Sequence, residues 1–195
     1  MACGTGRHTA HLHGLGHRVT GVDASPDMLA RPRERLPDVD FREADLHRLP
    51  LPGDAVDTVV CALALTHVPE LSPVSREFAR VLRPGGHLVI SDAHLLSSCL
   101  RPTLPRRPGP DGRAPLLAGY HRPLSDYLSA ALPLGLQVHG CVEPWRPRGF
   151  LAPAAPDPLP THPSWDLHHW CPEASVAALE DSPLVVVWHF RLAAT

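Results

Sequence analysis

The residues best suited to chemistry stand at the start of the chain. Met1-Ala2-Cys3-Gly4-Thr5-Gly6-Arg7 reads as a glycine turn, and Asp23 follows Gly4 by 19 positions. Glycines lack the side chain that would keep a ligand off the main chain. An acid at that distance, at the carboxyl end of the next strand, accepts hydrogen bonds from ribose hydroxyls. The chemistry is recognition of a nucleoside-type ligand. Thr9 occupies the position where a dinucleotide fingerprint uses a third Gly or Ala, which argues against pyrophosphate binding.

Alternating helices and strands must hold these residues. Residues 7–15 read as a helix ended by Gly16. Residues 17–23 read as a strand with Asp23 at its end. Ser25 caps the next helix, with Pro26 at its first position and Asp27 in its first turn. Residues 39–45 form a further strand closed by Asp45, and 46–52 a loop. Residues 56–65 are a buried strand leading into Thr66-His67. Residues 71–82 form a helix halted by Arg83-Pro84-Gly85-Gly86, and 87–92 a further strand.

Taken together, CGTGRHTAHL, VTGVDASPDML, EADLHRLPLPGDAVDTVVCALALTHV and FARVLRPGGHLVISD resemble the class I S-adenosylmethionine-dependent methyltransferases. The order and spacing match over roughly the first half of the chain, nearest to the small-molecule methyltransferase-like branch. The resemblance implies an α/β Rossmann-like three-layer sandwich, with a mostly parallel sheet and an antiparallel C-terminal edge. It implies S-adenosyl-L-methionine as cofactor and a small-molecule methyl acceptor. Backbone around Ala2, Cys3, Gly4 and Gly6 would face the methionine part. Asp23 would hold the ribose. Ala24 and Met28 would pack near the adenine, with helix core as the other role open to Met28. Asp45 and the Leu46 amide would read the adenine edge. Cys61 and Ala62 would pass beneath the sulfonium, although Cys61 by itself reads first as a small buried apolar residue.

His67 follows the strand whose end faces the methyl-transfer centre. Transfer is an in-line displacement, and an oxygen or nitrogen acceptor must also lose a proton. A histidine suits that proton transfer; capping the next helix or packing the pocket is the alternative. His94 and His121 are weaker candidates for a base. The 14 histidines show no structural zinc spacing, so no metal site is expected.

Composition narrows the function classes. The 195 residues suit one domain and carry net charge -2, from 18 basic and 20 acidic groups, so no basic field gathers nucleic acid. No apolar run spans a membrane. The five scattered cysteines suit a reducing, cytoplasmic setting. There is no Lys and no Asn, which excludes Schiff-base lysines, P-loops and the Asn-Pro-Pro-Tyr type of amino-methylating site. A degenerate, non-catalytic protein of the same fold and an NAD(P)-dependent oxidoreductase remain as other readings. The sequence carries no signal of oligomeric state.

The second half is rich in proline. Residues 97–115 read as a loop that serves as a substrate lid or as a solvated connection. Residues 125–134 read as a helix with apolar Tyr127, Leu128, Ala131 and Leu132, ended by Gly135. Residues 136–142 are a strand. Residues 144–163 form a second insertion, in which Trp145 and Phe150, with Trp165 just beyond, line an acceptor pocket or pin the loop. Residues 172–179 read as a helix and 184–192 as the final strand.

One departure from the family pattern stands out. A strand usually precedes the glycine turn, with an acid near its end; here only Met1-Ala2 precede Cys3. The expectation is a single domain over 1–195, truncated at its amino end and lacking the first central strand. About five buried apolar residues would then be missing, each worth about 1.5–3 kcal/mol.

Overall fold

The computed structural model describes residues 1–96, 103–105, 116–145 and 182–194. Helix α1 (Arg7–Gly14) starts after Gly6, whose φ of 77° makes it a left-handed cap, and stops before Gly16 at φ 86°. Strand β1 (Thr20–Asp23) leads to α2 (Pro26–Arg35). The Ser25 hydroxyl accepts from the Met28 amide at 3.3 Å, and Pro26 opens the helix, as the capping rules require. Strand β2 (Asp40–Glu43) runs parallel to β1, pairing Gly21 with Phe41 and Asp23 with Glu43.

A second, larger sheet follows. Strand β3 (Val56–Ala62) pairs in parallel with β4 (Leu82–Ala93), Cys61 opposite Ile90. Between them lie a 3-10 turn (Leu65–His67) and α3 (Leu71–Val81). Helix α3 buries Leu71, Val74, Ser75, Phe78 and Val81, a single stripe at helical spacing. The short strands β5 (Thr103–Pro105) and β6 (Leu116–Ala118) pair antiparallel. Helix α4 (Leu124–Ala131) runs through a 3-10 turn to Gly135, at φ 78°. Strand β7 (Leu136–Val142) and β8 (Val185–Leu192) complete the order β3-β4-β8-β7, both antiparallel to their neighbours. The antiparallel carboxyl-terminal edge is present as expected.

The main core lies between this sheet and helices α3 and α4. It joins Phe78, Leu88, Tyr127, Leu136, Trp188 and Phe190, all buried. A small second cluster of Leu29, Val39 and Phe41 sits between α2 and the β1–β2 pair. The two sheets share no strand-to-strand pairing among the described residues. The first three residues bridge them: the Met1 amino group donates to Val60 O at 2.5 Å and the Cys3 amide to Val22 O at 2.9 Å.

Several expectations need correction. Strand β2 ends at Glu43, so Asp45 stands in the following turn. Strand β3 stops at Ala62, because Leu63 turns to a positive φ of 52°. Arg83 to Gly86 do not precede β4 but form its first residues, with a register shift beside them. Leu132, expected on the apolar face, is 52% exposed, since the helix tightens to 3-10 geometry there. The stretch 97–115 contains a strand where a loop is expected; its other residues, and Phe150, Trp165 and 172–179, lie outside the described residues. Trp145 is exposed and bridges to Pro183.

Candidate functional site

The glycine turn is locked to the acid that follows it. Gly4 N–H donates to Asp23 Oδ2 at 2.7 Å, and Ser25 N–H donates to Asp23 Oδ1 at 3.0 Å. The half-buried carboxylate thus ties the glycine turn and the start of α2 to the end of β1. Gly4 adopts φ 52°, and a Cβ built there would meet no atom within 4 Å. The space above its backbone is open. Gly6 acts differently. A Cβ there would stand 2.7 Å from Pro32 Cβ, so its absence lets α1 approach α2.

Asp45 is exposed on the neighbouring turn. Its Oδ1 accepts from the His47 amide at 2.7 Å and contacts the His47 ring. Those bonds hold its carboxyl below the usual aspartate range. The loop beyond is fastened to α3, where Glu77 accepts from the Leu49 amide at 2.9 Å and Arg80 reaches Leu51 O at 2.9 Å. At the other end of the site, the Leu63 amide donates to Ser91 O at 2.7 Å and the His67 amide to Ala64 O at 3.0 Å.

One cleft of about 1660 Å³ collects these elements. Ala2, Cys3, Gly4, Asp23, Ala24, Met28, Asp45, Leu46, Ala62 and His67 all line it. Met28 is 39% exposed there, while Leu29 takes the helix-core position. Gly6 and Cys61 are not part of the lining. Cys61 is buried behind β3, where desolvation pushes its thiol up to about 11. His94 lies away from the cleft and pairs with Glu143 at 2.6 Å, and His121 does not line it. The volume exceeds the roughly 300–1,000 Å³ usual for a ligand pocket. The lining runs on along β1 and β3 through Thr20, Val56 and Thr58. Among the described residues, no three His, Cys, Asp or Glu side chains converge to hold a metal, and no helix is long and apolar enough to cross a membrane.

Sequence reasoning passed over Leu63 and Asp92. Leu63 lines the cleft, is 57% exposed and carries a left-handed backbone, which no sequence signal marks. Asp92 is fully buried. Its signal was present, because period-two alternation puts it on the same core face as Leu88 and Ile90.

Parallel strands feeding loops onto one rim, with a glycine turn against an acid, define a Rossmann-like methyltransferase fold. A methyltransferase-domain family model matches residues 1–90. The demethylmenaquinone methyltransferase of Chlorobaculum parvum is 32% identical over 109 residues, covering 55% of this chain and 42% of that protein. The trans-aconitate 2-methyltransferase of Escherichia coli is 34% identical over 157 residues, covering 75% and 57%. A crystal structure of an S-adenosylmethionine-dependent methyltransferase from Mesorhizobium loti superposes with TM-score 0.67 at 25% identity, covering 97% of this chain and 88% of that one. Residues 1–90 carry a methyltransferase domain, and the chain is similar to S-adenosylmethionine-dependent methyltransferases, proteins whose cofactor is S-adenosylmethionine. It spans about half the length of the curated relatives it matches.

Proposed function

We propose that this chain transfers the methyl group of S-adenosylmethionine to a small-molecule acceptor. The observation that carries the reading is the shared cleft: Gly4, Asp23 and Asp45 face one space, with Gly4 and Asp23 hydrogen-bonded at 2.7 Å. The residues fit the cofactor. Each Asp23 oxygen accepts one backbone N–H and keeps a lone pair for a ribose hydroxyl. The open backbone at Gly4, with Ala2 and Cys3, suits the methionine part. Ala24 and Met28 suit the adenine face, and Asp45 with the Leu46 amide its edge. Ala62 would lie beneath the sulfonium.

The cofactor supplies an electrophilic methyl on a good leaving group. The protein's own contribution is alignment, exclusion of water and removal of a proton. We assign the proton to His67, which lines the cleft just past β3. Relatives named for small molecules, demethylmenaquinone and trans-aconitate, support a small acceptor. The free thiols Cys3, Cys61 and Cys141 support a reducing, cytoplasmic setting.

The function itself is tested by thermal shift. S-adenosylmethionine should raise the melting temperature, and NADH should not. A shift with NADH alone would favour an oxidoreductase, and no shift with either a non-catalytic protein.

A further inference from the structure

Asp92 closes β4 inside the core, fully buried, where Leu88 and Ile90 on the same face are apolar. A buried carboxylate is costly unless donors meet it, and a well-packed apolar residue would serve stability as well. Three donors converge on it. The Ala93 amide and the Tyr127 hydroxyl each donate at 2.9 Å, and the Thr66 amide donates as well. Two of these come from other elements: Tyr127 from α4, and Thr66 from the turn that carries His67.

That turn is strained and needs holding. Leu63 keeps a left-handed backbone at φ 52° although it is not glycine. Such strain persists only where the surroundings over-determine it. The surroundings here are Ser91 O on the Leu63 amide, the Tyr120 amide on Thr66 O at 2.7 Å, and the Asp92 carboxylate on the Thr66 amide. Leu63, Ala64 and His67 line the cleft, whereas Asp92 does not. It reaches the site through the turn, by the Thr66 amide and by its charge beside His67.

We infer that Asp92 is a positioning residue that fixes the 63–67 turn, and with it the methyl-transfer end of the cleft, from inside the sheet. The functional half of this inference rests on the proposed function above. The experiment uses the full chain with Asp92→Asn and Tyr127→Phe, read by amide hydrogen exchange and by the carbon resonance of methyl-13C S-adenosylmethionine. In Asp92→Asn, exchange at Leu65, Thr66, His67 and Val68 should rise by about tenfold or more while Val22 and Phe41 keep their rates. The bound methyl resonance should move with little change in dissociation constant. Tyr127→Phe removes one donor and keeps the ring, so it should give the same pattern more weakly; it carries the test if Asp92→Asn does not fold. Faster exchange spread evenly over the chain, or an unchanged turn, would overturn the assignment. If the wild-type chain binds no S-adenosylmethionine, the proposed function fails, and the exchange pattern alone decides whether Asp92 holds the turn.

Discussion

Gly4 N–H and Asp23 Oδ2 meet at 2.7 Å, joining the glycine turn to the end of β1. The same carboxylate takes Ser25 N–H on its other oxygen, so one side chain sets the turn, the strand end and the start of α2. Hydrogen bonds to a charged group contribute about 1.5–3 kcal/mol each. Asp23→Ala should therefore weaken S-adenosylhomocysteine binding by about tenfold or more. Unchanged affinity would remove Asp23 from the ribose site.

The two turn glycines should fail in different ways. Gly6→Ala combines a φ of 77° with a Cβ 2.7 Å from Pro32, and should cost about 1–3 kcal/mol in urea unfolding. Gly4→Ala carries the backbone strain of a φ of 52° but meets no atom within 4 Å, so it should cost less stability than Gly6→Ala, while its Cβ on the cleft side lowers ligand affinity. Equal stability losses in the two variants would contradict this division of labour.

The pH dependence of stability should carry the mark of Asp92. Burial raises its carboxyl above the usual aspartate value, against the opposing pull of the Ala93, Tyr127 and Thr66 hydrogen bonds and of His67. Between the unfolded and the native values, the native state holds a proton that the unfolded state has lost. Stability from this group is then full below the unfolded value and falls as pH rises through that window. The wild type minus Asp92→Asn difference should decline with rising pH above the normal aspartate range. A flat or rising difference, measured by urea unfolding at several pH values, would contradict the burial argument.

Among the described cysteines, Cys61 should be inert. Its thiol is buried and pushed up to about 11, leaving very little thiolate at neutral pH. Exposed Cys141 should react first with iodoacetamide, as read by peptide mass mapping. Rapid labelling of Cys61 in the folded chain would show that β3 opens.

His67→Ala separates the two roles left open for that residue. If His67 removes the acceptor proton, turnover should fall by about 10²–10⁴-fold with little change in cofactor affinity. If it only packs the pocket, affinity and turnover should fall together. The measurement is methyl transfer in parallel with calorimetry, once an acceptor is found.

Much of this was legible in the residues, for local reasons. Ser25-Pro26-Asp27 writes a helix start, and the Ser25 hydroxyl makes the cap bond. Gly16 and Gly135 write two stops and take left-handed φ values. The Gly4 to Asp23 spacing put the acid beside the glycine turn, where the two are hydrogen-bonded, because a turn, a helix and a strand of ordinary length fix where the strand end falls. What was not legible depends on tertiary context. Met28 and Leu29 are both apolar, and only the packing on Val39 and Phe41 puts Leu29 inside. Leu63 breaks β3 through a backbone that leucine does not favour, held by Ser91 and Thr66 contacts from elsewhere. The start of β4 at Leu82 overrode the turn chemistry of Pro84-Gly85-Gly86, because pairing begins with Val56.

The most direct test is a calorimetric titration of the full chain and of Asp23→Ala with S-adenosylhomocysteine. One saturable site, weakened by about tenfold or more in the variant, is the predicted result. Absence of heat in both proteins, or equal affinity in both, would contradict the claim that Gly4, Asp23 and Asp45 line an adenosyl site.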